Sequence, residues 1–200
     1  MNNSCLNDSG PNNSDLAGFV VALDFETSDN GPDAACALGM ARIWGGAIED
    51  TFYTLIRPPR NRVYYTHIHG LTWNMLRTAP TFAQIWPQID GFIAGADYLV
   101  AHNAAFDSAV LRGCCLANGI NPPDQPFLCT VRGARKGLNL PHNRLNNVCD
   151  HLGITLQHHN AESDAIAAAR IFLHLREKGL PLADMMPKQK KSKLKFLPGA

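Results

Sequence analysis

The stretch Gly18-Phe19-Val20-Val21-Ala22-Leu23-Asp24-Phe25-Glu26-Thr27 decides the fold. A short apolar run that turns polar reads as a buried strand ending near Thr27. Residues i and i+2 of a strand share a face, so Asp24 and Glu26 stand side by side at its end. Like charges this close repel, and one carboxyl must hold its proton unless a cation intervenes. Hard oxygen ligands of this kind suit Mg²⁺ or Mn²⁺. A solvated strand end carries the same short pattern, so the pair has meaning only if other segments supply partners.

Upstream, residues 1–16 are rich in Asn, Ser, Asp and Gly and read as a flexible leader. They have neither a basic start nor an apolar run, so no secretory signal is expected. Downstream, residues 28–34 (SDNGPDA) read as a loop. Residues 36–46 (CALGMARIWGG) and 47–58 (AIEDTFYTLIRP) read as two strands joined at Gly45-Gly46, a hairpin signal. Residues 58–76 look irregular after Pro58-Pro59. Phe82, Ile85, Trp86, Ile89 and Ile93 recur at helical spacing, with Pro87 inside the pattern. A strand over 97–103, a helix over 105–120 stopping at Gly119, and a strand over 126–131 follow. A short helix then ends at Gly153, and an Ala-rich helix ends at Lys178-Gly179. Three strands followed by alternating helix and strand predict an α/β domain over 17–182 with a mixed sheet and helices on its faces.

Composition narrows the function classes. A 200-residue chain with 46% apolar and 18% charged residues is globular and long enough for its own core. Net charge is only +1, so whole-chain charge gives no strong pull on nucleic acid. Lys188, Lys190, Lys191, Lys193 and Lys195 crowd the segment 183–200, a basic tail read either as a solvated end or as added affinity for a phosphate backbone. The six cysteines lack C-x-x-C spacing and mostly sit among apolar residues. They read as buried hydrophobes in a reducing compartment. No stretch approaches the about 20 apolar residues of a membrane helix. A cytoplasmic protein without a membrane partner is the expectation.

Two further motifs can meet the first pair. His102-Asn103-Ala104-Ala105-Phe106-Asp107 passes from a strand end into a helix start, where ligands gather in α/β sheets. Read singly, Asp107 is also a first-turn acid favoured by the helix dipole, and His102 a satisfied core histidine. His159-Asn160-Ala161-Glu162-Ser163-Asp164 enters the Ala-rich helix. Five helical steps turn through roughly 500°, so His159 belongs on the preceding loop and Asp164 inside the helix. Glu162 reads as a first-turn helix acid, and His158 competes with His159 as the reactive histidine. Asp24, Glu26, Asp107, His159 and Asp164 together make a far more specific set than any motif alone.

This set resembles the histidine-containing branch of the DEDD exonuclease superfamily, which includes the proofreading epsilon subunit of bacterial DNA polymerase III. The matching stretches are ALDFETS (22–28), IHGLT (68–72), AHNAAFD (101–107), LPHNRLNNVCDHLGI (140–154) and HNAESD (159–164), so the likeness runs from Phe19 to Leu175. The resemblance implies an RNase H-like fold with a mixed five-stranded sheet. It implies that Asp24, Glu26, Asp107 and Asp164 bind two Mg²⁺ or Mn²⁺ ions, with His159, in an H-x-A-x-x-D pattern, as general base. The implied reaction is 3′→5′ hydrolysis of a single-stranded nucleic-acid end to nucleoside 5′-monophosphates, DNA favoured over RNA. Ile68 and His69 resemble a stretch lining the 3′-terminal nucleotide pocket, and Thr27, His102 and Asn103 join them as substrate-binding candidates. Phe25 and Phe106 support that pocket or pack beneath it as core. Association with a polymerase is a further expectation, although no long C-terminal tether is evident. The rival readings are a catalytically silent nucleic-acid-binding module of the same fold, an RNase H-type endonuclease, and a zinc site of Cys149, His151, His158 and His159.

Overall fold

The computed structural model describes residues 18–187. The expected leader and the lysines from Lys188 onward lie outside the described residues. In chain order the elements are β1 (Val20–Thr27), β2 (Ala35–Trp44), β3 (Ala47–Leu55), α1 (Thr66–His69), α2 (Trp73–Leu76), α3 (Phe82–Ile93), β4 (Tyr98–Ala101), α4 (Ala104–Ala117), β5 (Phe127–Cys129), α5 (Thr130–Gly137), α6 (Leu145–Leu152), α7 (Ala161–Glu177) and α8 (Leu182–Met185). The strands make one sheet in the order β3-β2-β1-β4-β5. Antiparallel pairs join β1, β2 and β3, while β4 and β5 add in parallel to the other edge of β1. This is the mixed, helix-flanked five-stranded sheet of an RNase H-like fold.

Local chemistry explains the connections. Gly45 and Gly46 both take positive φ, 57° and 82°, as a two-residue hairpin turn requires at both central positions. Parallel addition needs longer crossovers, and α3 and α4 supply them. Thr81 and Gln84 form a reciprocal capping box at the start of α3. Pro87 lies inside that helix without ending it. Its ring and Ala83, whose carbonyl loses a partner, are both on the exposed side, where water can bond that carbonyl. Burial of Phe82, Ile85, Ile89, Phe92 and Ile93 on the other side holds the helix through the defect.

Period-two alternation on β1 splits the core into two layers. Val21, Leu23 and Phe25 pack in the layer with α3 and α4. Val20 and Ala22 pack in the layer with α6 and α7. Asp24 and Glu26 continue the second series, so both carboxylates point to the α7 side. The helix can come close because its inner face is small: Ala165, Ala167, Ala168 and Ala169 are all buried. Closest approach is at Gly39, the β2 partner of Asp24. A Cβ on Gly39 would lie 2.1 Å from the Ala161 carbonyl oxygen.

The structure adds elements to the sequence reading. Helices α1 and α2 occupy a segment that reads as irregular. Helix α5 follows β5 directly, although Thr130, Val131, Gly133 and Gly137 favour no helix locally. Packing explains it: a Cβ on Gly133 would meet Leu175 and Met185 at 2.7 and 2.9 Å. Met185 is fully buried, so the packed chain runs past the expected boundary at Leu182 to α8. Cys36, Cys114, Cys115, Cys129 and Cys149 are free and buried. Among the described residues no helix is long and apolar enough to cross a membrane.

Gly39→Ala forces a methyl against the backbone of the first turn of α7. The expected loss is about 1–3 kcal/mol, the usual range for overpacking, measured by urea unfolding against the parent protein.

Candidate active site

Three elements bring the acids together. β1 carries Asp24 and Glu26, α4 carries Asp107 in its first turn, and α7 carries Asp164 in its first turn. Carboxylate oxygens of Asp24, Glu26 and Asp164 all lie within 4.8 Å of one another. Asp107 stands beside them, almost fully buried, with Oδ1 accepting from the Phe25 backbone N–H at 3.1 Å. That bond crosses from α4 to β1 and anchors the acid behind the cluster. Burial raises the Asp24 pKa well above the carboxylate range, and the charges of Asp107, Asp164 and Glu26 add to it. Burial and Asp164 push Glu26 up to about 7. Asp107 and Asp164 are raised as well, chiefly by burial.

Asp164 Oδ1 is buried without a hydrogen-bond partner. A buried polar atom left unpaired is costly, and a divalent cation answers both this and the mutual repulsion. The donor set therefore fits a hard metal ion held by carboxylates.

The other oxygen of Asp164 faces the histidine turn. Oδ2 accepts from the His159 backbone N–H at 3.1 Å and lies 3.4 Å from His158 Nδ1. His159 itself takes a left-handed φ of 64°. This strained turn stacks the two imidazoles at 3.9 Å. Asn160 caps α7 by accepting from Ser163 N–H, and Ser163 Oγ accepts from Gln157 N–H. The loop is thus stitched to the helix that carries Asp164. His159 has its pKa lowered, first by burial and then by His158, so its ring is neutral at physiological pH. Glu162 lies in the first turn of α7, outside the carboxylate cluster.

A cleft of about 960 Å³ opens over the acids. Each substrate-binding candidate borders it, but in different ways. Ile68 and Phe106 present their side chains, each 43% exposed. Asn103 turns the chain from β4 into α4 with φ 83°, a conformation Asn tolerates better than most residues. Phe25 is only 3% exposed and packs in the α3/α4 layer, so the core reading describes its ring. Both nitrogens of His69 are engaged: Nδ1 accepts from Leu71 N–H, which makes Nε2 the donor to the Thr27 carbonyl at 3.2 Å. His102 is likewise tied: Nε2 donates to the Asn143 carbonyl, and Nδ1 accepts from Thr130 Oγ1 at 2.9 Å. Burial lowers the His102 pKa to about 4. These two histidines shape the cleft by bracing its walls.

Sequence reasoning missed the far walls. Asn30 and Tyr65, joined by a hydrogen bond, line one side, and Arg135 and Arg144 line another. A weak signal for Arg135 was present, because Arg132 and Arg135 share a helical face at i, i+3, but only once α5 is known to be a helix. The alternative zinc set does not assemble. Among the described residues, no metal-like grouping includes Cys149 or His151, and Cys149 is fully buried in the α6/α7 layer.

Comparison with known proteins agrees with this geometry. The chain is 34% identical over 165 residues to the DNA polymerase III PolC-type of Thermotoga maritima, covering 80% of this chain and 12% of that protein. It is 36% identical over 172 residues to a DNA polymerase III subunit epsilon-like protein of Rhodobacter capsulatus, covering 78% of this chain and 23% of that protein. The chain thus spans less than a quarter of the length of either relative. Among solved structures, the nuclease domain of 3′hExo, a DEDDh family member bound to rAMP, superposes with a TM-score of 0.71 at 19% identity, covering 84% of this chain and 96% of that one. The exonuclease family model (RNase_T) matches residues 21–172. With its acids, cleft and sheet arranged as described, the chain belongs to the exonuclease family.

Proposed function

We propose that this chain is a metal-dependent 3′→5′ exonuclease releasing nucleoside 5′-monophosphates from single-stranded nucleic-acid ends, DNA in preference to RNA. The observation that carries the reading is the meeting of Asp24, Glu26 and Asp164 oxygens within 4.8 Å around an unpartnered buried oxygen of Asp164. A silent binding module would gain nothing from holding mutually repelling carboxylates in this way. The preference for DNA rests on the polymerase III names of both relatives. The same names support association with a polymerase, checked by whether the chain co-elutes with a polymerase III catalytic subunit on gel filtration.

Asp24, Glu26, Asp107 and Asp164 would hold two Mg²⁺ or Mn²⁺ ions, which when bound supply Lewis-acid activation of water and neutralise charge on the phosphoryl oxygens. His159 receives the proton of the attacking water at its imidazole, which is neutral and ready to accept it. The hydroxide oxygen bonds to the terminal phosphorus, the bond from phosphorus to the 3′ oxygen breaks, and that oxygen takes a proton from solvent. Ile68 and Phe106 flank the terminal base with apolar surface. The Phe25 N–H holds Asp107 in place throughout, and His158 braces Asp164.

A 5′-labelled single strand should shorten stepwise from its 3′ end with Mg²⁺ or Mn²⁺ and stay intact with EDTA. A circular single strand should stay uncut; nicking of the circle would instead indicate an endonuclease. Asp24→Asn and Asp164→Asn should each lower the rate by at least the roughly 10- to 100-fold that loss of a partner behind a metal ligand costs. His159→Ala should cost about 10²–10⁴-fold, the contribution of a general base, and His158→Ala far less. An equal loss in both histidine variants would remove His159 from its assigned role.

Metal binding should also show in stability. The Glu26 carboxyl, ordinarily near 4.5, holds its proton up to about 7 in the folded protein. The unfolded chain gives up that proton earlier, so the contribution of Glu26 to metal-free stability is full below pH 4.5 and falls as pH rises toward 7. Thermal unfolding in EDTA should show this decline, Glu26→Gln should make it shallower while Asp24, Asp107 and Asp164 keep the remainder, and Mg²⁺ at pH 8 should raise Tm in the parent protein.

A further inference from the structure

A second groove of about 700 Å³ lies on the other side of the loop that walls the catalytic cleft, sharing Asp29, Asn30 and Gly31 with it. Its remaining lining is Pro59, Arg60, Asn61, Arg62, Tyr64 and Trp73. None of these residues takes part in the proposed chemistry. Tyr64 is 57% exposed, and Arg62 Nη1 donates to its hydroxyl at 3.3 Å. Trp73 is partly exposed at the groove.

The ridge between the two grooves is firmly built. Arg60 Nε donates to Asp29 Oδ2 at 2.7 Å, and its Nη2 donates to Asp29 Oδ1 at 3.1 Å and to Asp33 Oδ1 at 2.6 Å. Gly31 N–H donates to Asp29 Oδ1 at 2.6 Å. A Cβ on Gly31 would lie 2.2 Å from Arg60 Nη2, so the loop closes directly on the guanidinium. Arg60 thereby offsets one of the two negative charges of Asp29 and Asp33, which lowers the repulsion that a phosphate backbone crossing the ridge would meet. With Arg60 occupied, Arg62 is the cation the groove offers beside its aromatic rings. Exposed rings interleaved with arginine suit single-stranded nucleic acid, whose bases stack without regard to sequence.

We propose that this groove is a second nucleic-acid subsite, taking nucleotides on the 5′ side of those in the catalytic cleft, with a base stacked on Tyr64 and a phosphate on Arg62. The assignment rests on the exonuclease reading for its direction: with a 3′ end seated over the acids, a strand that crosses the Asp29–Arg60 ridge brings its 5′-side nucleotides to this groove.

The test is a length series. Single strands of two to ten nucleotides are digested by the full chain with Mg²⁺, and kcat/KM is followed against length. The parent protein should gain as the strand grows long enough to enter the groove. Tyr64→Ala and Arg62→Gln should each lose roughly five- to ten-fold on long strands, within the range for one stacked base, and nothing on the dinucleotide. Tyr64→Phe, which keeps the ring and loses only the hydroxyl, should retain the gain. Both substituted residues are exposed, and unchanged Tm would confirm an intact fold. A length gain identical in parent, Tyr64→Ala and Arg62→Gln would overturn the subsite. If the parent cleaves nothing at any length, the exonuclease reading fails separately. The subsite is then decided by fluorescence anisotropy of a labelled ten-nucleotide strand: weaker binding in Tyr64→Ala supports it, and equal binding removes it.

Discussion

The whole site depends on one close approach, that of the first turn of α7 to Gly39 on the sheet. Asp24 pairs with Gly39 across β1 and β2, so wherever the helix rests, its first turn faces Asp24. A side chain at position 39 would lift the Ala161 carbonyl and carry Asp164 away from the other acids. The alanines of α7 extend the same close packing down the helix. The carboxylates are thus gathered by backbone contact and dense packing, which resist the repulsion between them. Burial in this packing raises the pKa of all four acids, and neighbouring carboxylates add to the rise at Asp24, Glu26 and Asp107.

Around this cluster the polar groups divide their work. One oxygen of Asp107 is tied to β1 through the Phe25 N–H. Asp164 faces both ways, one oxygen toward the histidine turn and the other unsatisfied toward the cluster. Histidines at the cleft are sorted by their partners. His69 and His102 spend both nitrogens within the protein, which fixes their tautomers and keeps them uncharged. His158 and His159 stand on a turn with a left-handed residue and keep ring edges toward the cleft. Proximity to the cleft alone therefore does not make a histidine reactive; the protons already committed to neighbouring carbonyls do much to decide it.

The cleft walls come from segments distant in sequence. The loop after β1 is locked to the chain near residue 60 by a guanidinium bonded to two acids. On the opposite side, the His102–Asn143 bond ties the end of β4 to the segment before α6. These tethers leave Ile68 and Phe106 exposed at the mouth, where their apolar surface can meet a base and remains otherwise unsatisfied in solvent.

Much of this was legible in the chain itself, and the reasons are local. Period-two alternation placed Asp24 and Glu26 on one face of β1, Gly45-Gly46 marked the hairpin, and Gly119 and Gly153 marked helix ends through their left-handed φ. The H-x-A-x-x-D spacing put His159 on a loop and Asp164 in a helix, as the cap at Asn160 requires. Other features had no local signature. Helix α5 exists because Gly133 fits beneath Leu175 and Met185, against its own weak propensity. The engagement of His69 and His102, the burial of the Phe25 ring and the Asp29–Arg60–Asp33 ridge all depend on distant partners: His69 reaches back 42 positions to Thr27, and Phe25 packs in the layer with α3 and α4. Sequence alone determined which residues are candidates for the chemistry and on which face of which element they stand, because strand and helix periodicity are short-range. Only the tertiary structure decided which of them retain unspent hydrogen-bonding capacity and how near the acids lie, because both are set by packing between segments that no local pattern records.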